Sequence, residues 1–192
     1  MSSVVISGDT SGSITLAAPA VAGTNTLTLP ANTGTVITTA SGSQSIPKAA
    51  LPTGSVLQVV QATYASQVST SAGPVDTGLS ASITPTSATS KILVLVVQNF
   101  YLYSGGNDKG VIFDLFRGAT KILAGNNQSV YIQGTSADPE LITNWCTNYL
   151  DSPATTSSTT YKIQMTISGS GGTIAANWSG NYSTLTLMEI AA

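Results

Sequence analysis

The chain has no histidine, a single cysteine and only six basic residues among its 192. Without histidine there is no ordinary general base near neutral pH, no Ser–His or Cys–His nucleophile pair, and no use of the commonest metal ligand. One thiol cannot close an intrachain disulfide, and one Cys without His cannot furnish a zinc site. Cys146 sits in NWCTNYL, which reads as a strand, and it is expected to be a buried, apolar thiol. Lys48, Lys91, Lys109, Arg117, Lys121 and Lys162 are scattered. Counterion release on a polyanion needs such residues clustered, so no nucleic-acid partner is expected. The longest apolar run, Ile92–Val97, is far short of the ~20 residues that cross a bilayer. The opening MSSVVISGDTSGS lacks a basic segment followed by an apolar one. The expectation is a soluble chain assembled in a cytoplasm, with no membrane insertion.

Charge of either sign is scarce, at 7% of residues against the roughly 25% of an ordinary domain. Apolar residues still reach 42%, more than disordered chains carry, so the protein is expected to fold. With little charge repulsion its copies should also pack readily on one another.

Helix signals are absent as well: no window sustains apolar residues at i, i+3, i+4 and i+7. What recurs is short alternation of β-branched or apolar residues with Ser and Thr, bounded by Gly, Pro, Asn and Asp. Residues 13–39 offer three very short strands, Ile14–Leu16, Thr26–Leu29 and Thr35–Thr38, each too small to stand alone. Other copies of the same chain supply the missing partners in an intertwined, threefold stem, with Ile14, Leu16, Leu27, Leu29, Val36 and Ile37 on a shared axis. Residues 40–54 lose the alternation, carry Pro47 and Pro52, and read as a neck. From Ser55 to the end, ten strand candidates separated by turn signals predict an antiparallel, jelly-roll-like β-sandwich head. Within it the run Ile92–Val97 suits a strand buried on both faces. The organisation expected is therefore all-β: attachment segment and stem over 1–39, neck over 40–54, head over 55–192.

Eight carboxylates remain for chemistry. Asp76, Asp108, Asp138 and Asp151 adjoin turns, where Asp caps its own backbone. Asp138 and Glu140 bracket Pro139 but offer fewer oxygens than a calcium site wants. Asp114, between Phe113 and Leu115, is the oddest, and Arg117 or Lys162 is its expected partner. No catalytic residues, metal site or cofactor are expected. Tyr and Trp are the other means of recognition. Those inside strands read as core, whereas Tyr103 beside SGGNDKG, and Trp178 and Tyr182 around SGN, are the candidates for a receptor contact.

The stretch SGSITLAAPAVAGTNTLTLPANTGTVITT resembles stem segments of tail-fibre and related appendage proteins of tailed bacteriophages. TGSVLQVVQATYASQV, VDTGLSASITPTSATSKILVLV, YLDSPATTSSTTYKIQM and STLTLMEIAA are similar to a head domain common among such proteins. The resemblance implies a homotrimer located on a virion, docked on other virion proteins through its N-terminal segment. Its head would meet a host-surface glycan or protein. The matching motifs are framework strands and turns, so no binding residue is carried over. A capsid decoration or cementing fibre has the same stem and head and is the alternative. A polysaccharide-degrading tailspike is the third reading, against which stand the missing His, the few carboxylates and the lack of a long solenoid.

Overall fold

A computed structural model describes residues 3–7, 13–17, 51–106, 108–125, 128–134, 139–169 and 171–192. The chain divides into two compact units, Met1–Gln44 and Ser45–Ala192.

In the first unit, β1 (Ser3–Ser7) and β2 (Ser13–Ala17) form an antiparallel hairpin with Val4 opposite Leu16 and Ile6 opposite Ile14. Strand β1 was not expected from sequence, because SVVIS is too short to declare a period. One edge of β2, which carries the stem candidates Ile14 and Leu16, is thus paired within the chain and not by a neighbouring copy. The other stem candidates, Leu27, Leu29, Val36 and Ile37, lie outside the described residues with their strands. So do residues 40–50 of the neck.

The second unit contains β3 (Val56–Tyr64), β4 (Val68–Thr70), β5 (Val75–Ile83), β6 (Lys91–Tyr103), β7 (Lys109–Arg117), β8 (Thr120–Leu123), β9 (Val130–Ile132), β10 (Glu140–Asp151), β11 (Thr159–Ser168), β12 (Thr173–Ala176) and β13 (Ser183–Ile190). Strand β6 is the hinge of the larger sheet: β10 pairs one of its edges, while β13 and then β12 share the other. Strand β3 extends the sheet from β13 and β4 extends it from β12. The smaller sheet runs β5-β11-β7-β8, with β9 also on β7. Setting aside the short β4, β9 and β12, the eight remaining strands pair first with last: β3 with β13, β5 with β11, β6 with β10, β7 with β8. That nesting, split between two sheets, is a jelly roll. The all-β antiparallel sandwich expected from the turn spacing is what forms.

Alternation along each strand sends one set of side chains into the gap between the sheets. From the larger sheet these are Ile92, Val94, Val96, Phe100, Leu102, Leu185 and Leu187; from the smaller, Leu79, Val111, Phe113, Leu115, Ile163 and Met165. Phe100 meets Phe113 edge-on across the gap, with centroids 5.1 Å apart. A single glycine shapes one edge. Gly78 has φ of +85°, and a Cβ there would run into the Tyr64 ring. It lies where the β5–β11 register shifts between Lys162 and Gln164, a bulge that turns Thr77 inward to donate to the Ile163 carbonyl at 3.2 Å.

Two expectations are overturned. The run Ile92–Val97 is not buried on both faces: Ile92, Val94 and Val96 are interior, whereas Leu95 and Val97 are exposed on the outer face. A continuous apolar run hides its period, and only the neighbouring sheet tells which residues face it. Cys146 is likewise exposed, not buried, because it shares the outer face of β10 with Ile142, Asn144, Asn148 and Leu150.

Candidate functional site

Hydrogen-bonded opposite residues point to the same side of a sheet, so register fixes what shares a face. At one end of the outer face of the larger sheet, Tyr103 stands opposite Glu140 and Thr173, and Tyr101 opposite Ile142 and Ala175. The Tyr101 hydroxyl crosses diagonally to donate to Glu140 Oε1 at 2.9 Å. Burial and the adjoining carboxylate push that hydroxyl up to about 12, so it stays protonated and donating at any physiological pH. The ring of Trp178 stacks on Tyr101, with centroids 4.2 Å apart and planes 16° from parallel. The result is a half-exposed aromatic platform with an acidic edge.

The turn that delivers Trp178 is built around one buried amide. Asn177 adopts the left-handed conformation (φ 55°) that asparagine tolerates better than most residues. Its Nδ2 donates to the carbonyls of Ser66 and Thr77 at 2.9 and 3.0 Å. Its Oδ1 accepts from Ser183 Oγ at 2.7 Å and Gln98 Nε2 at 3.1 Å. Its backbone N–H reaches the Asn99 carbonyl at 2.9 Å. Ser183 Oγ in turn accepts from the Asn99 N–H. These bonds tie the β12–β13 connection to β5, β6 and the β3–β4 turn. Beyond Asn177 a single 3-10 turn, Trp178–Gly180, is closed by Asn181, whose Nδ2 returns to the Trp178 carbonyl at 3.0 Å. Tyr182 follows, 68% exposed.

Of the three receptor-contact candidates, Trp178 and Tyr103 come to the same end of one face, and Tyr182 ends the same turn. Tyr101 was missed. Its place inside a long strand reads as core, and the usable signal was the alternation that puts Tyr101 and Tyr103 together. Trp145 does behave as framework, stacked on Phe113 at 5.0 Å.

The carboxylates are dispersed over structural duties. Asp151, buried between the sheets, accepts two bonds from Arg117 Nη1 at 2.9 Å and one from the Tyr161 hydroxyl at 2.7 Å. Asp114 pairs with Lys121 at 2.5 Å and accepts from the Gly125 N–H at 2.8 Å; the sequence-based partners Arg117 and Lys162 were wrong. Those cations serve Asp151, on a strand of the other sheet, and Asp76, on the paired strand β5, instead. Glu189 is fully buried. Burial alone would raise its pKa, but hydrogen bonds from the Thr86 hydroxyl and N–H and from Gln58 prevail and hold it at about 2. Asp138 lies outside the described residues, and among those described no three His, Cys, Asp or Glu side chains gather.

No family model matches the chain, and no curated protein matches it. Solved structures similar to it include the infectious bursal disease virus Gx strain, at TM-score 0.37 and 18% identity over 70% of this chain and 37% of that one. Another is the VP2 subviral particle of infectious bursal disease virus, at TM-score 0.35 and 15% identity over 72% of this chain and 39% of that one. The chain spans less than two-fifths of the length of either.

Proposed function

We propose that this chain is a structural protein of a tailed-phage particle, a homotrimeric fibre that docks on other virion proteins through residues 1–39 and meets the host surface with its sandwich. The resemblance of its stem and head segments to phage appendages motivates the setting. The observation that carries the host-contact role is the Tyr101–Trp178 stack, presented at one end of a sheet and braced from beneath by Asn177. Flat aromatic faces bind the C–H faces of sugar rings, and the flanking Glu140 carboxylate accepts sugar hydroxyls. A polar-tipped aromatic on a rigid scaffold is suited to such contacts. One platform binds weakly; three around a shared axis multiply the affinity through avidity.

The test has two arms. Gold-labelled antibody against the purified chain should decorate the tail region of intact particles. Purified protein should slow phage adsorption to cells, and Trp178→Ala should weaken that inhibition at unchanged melting temperature. Labelling of the shell, with adsorption unaffected, would overturn the host-contact reading in favour of a capsid decoration fibre.

A further inference from the structure

The two outer faces of the sandwich differ in kind. On the smaller sheet the outward residues form a polar lattice: Ser82 and Thr160 share a 2.7 Å bond, while Lys162 and Gln164 both reach Asp76 at 2.9 and 2.8 Å. On the larger sheet, register lines up Leu150, Leu93, Met188 and Val59 as one row across β10, β6, β13 and β3. Leu95 and Val97 continue the apolar surface along β6. Of the nine large hydrophobic side chains exposed among the described residues, six lie on this one face. No charged side chain stands inside it: Lys91 marks one end of β6, where it donates to Ser152, and Glu140 marks the opposite end of β10.

We infer that the Lys91–Val97 end of the outer face of the larger sheet, away from the Tyr101–Trp178 platform, is an interface covered by further copies of this chain. Area supports a macromolecular occupant. Four strands about 4.8 Å apart, over seven residues of about 3.4 Å each, give a plan area of roughly 450 Å². That is more than half of the ~800 Å² that each partner contributes to a stable contact. Charge favours a copy of the same chain as that occupant. A face without interior charges meets its own kind without repulsion.

Strand β10 adds to the case. Among the described residues it pairs only with β6, and its other edge carries no Lys, Arg or Pro over twelve residues. Such an edge accepts another chain unless something covers it. The inference takes from the proposed function only that copies associate; it adds the surface through which they do so.

Cys146 sits on this face, opposite Val97, and is the chain's only thiol, so its reactivity reports local cover. The full chain is labelled with a maleimide at micromolar concentration while its mass is read by sedimentation. We expect a multimer whose Cys146 reacts at least about tenfold more slowly than in urea. Leu95→Lys and Val59→Lys, both exposed in the single chain, should restore fast labelling while the chain stays folded. Thr160→Lys, on the polar face, should not. A wild-type multimer with freely reactive Cys146 would overturn this interface while leaving the trimeric fibre intact. A wild-type monomer with freely reactive Cys146 would overturn both. Should either lysine variant fail to fold, the wild-type comparison between native protein and urea still decides.

Discussion

Val94 and Leu95 are neighbours in β6 whose responses to a charge should differ sharply. Val94 is fully buried between the sheets, whereas Leu95 keeps 37% of its surface. In Val94→Asp, loss of the buried valine forfeits about 1.5–3 kcal/mol. The new carboxyl must then enter the core neutral. At pH 7, some three units above its unperturbed pKa of about 3.9, that protonation costs about 4 kcal/mol. Desolvating the neutral acid adds to this, and the loss is comparable with the roughly 5–15 kcal/mol that holds a domain together. Val94→Asp should therefore be unfolded, or have its urea midpoint cut by more than half, when followed by tryptophan fluorescence. The pH dependence is a second signature. The folded-state pKa of this carboxyl lies above the unfolded one, so the deficit is largest at high pH. It should shrink by about 2.7 kcal/mol between pH 7 and pH 5. Leu95→Asp should remain folded, with a change within about 1 kcal/mol. A Val94→Asp protein with the wild-type midpoint, or a Leu95→Asp protein as unstable as Val94→Asp, would refute the assignment of the two faces.

Three other outcomes follow from the polar groups. Glu189 has its pKa depressed to about 2, so its stabilisation is complete above pH 4.5 and is lost as pH falls from there toward 2. Glu189→Gln should melt well below wild type at pH 7, and the gap should narrow steadily in scans at pH 4 and pH 2.5. Arg117→Ala leaves the buried Asp151 carboxylate without its cation, at a cost of about 3 kcal/mol in chemical denaturation. Restoring the charge with lysine should recover part of that. Asn177→Gly keeps the left-handed backbone but deletes the amide, and should still lose about 2–3 kcal/mol and loosen the Trp178 turn, seen as a red-shifted tryptophan emission. A stability equal to wild type would mean that backbone conformation alone sets that turn.

The candidate site was partly legible. Trp178, Tyr103 and Tyr182 stand beside Gly-rich turns, and turn chemistry is local, so it can be read from a few residues. Tyr101 was not legible, because its exposure depends on β10 and β12 lying on either side of it. Nor was Asn177, whose five hydrogen bonds reach residues up to 111 positions away in sequence.

The same division runs through the whole molecule. Strand existence followed from alternation and turn residues, so β6 and β13 were bounded to the residue, and an antiparallel sandwich followed from ten strands without a helix between them. Those are properties of neighbours along the chain, and composition and spacing suffice for them. Tertiary pairing alone decided which face of β6 is interior, that Cys146 points outward, and that Asp114 meets Lys121 while Arg117 goes to Asp151. A run such as ILVLVV is apolar on both sides, so its sequence carries no sign of which side is covered. Only the second sheet, folding over Ile92, Val94 and Val96, breaks that symmetry and leaves Leu95 and Val97 facing outward.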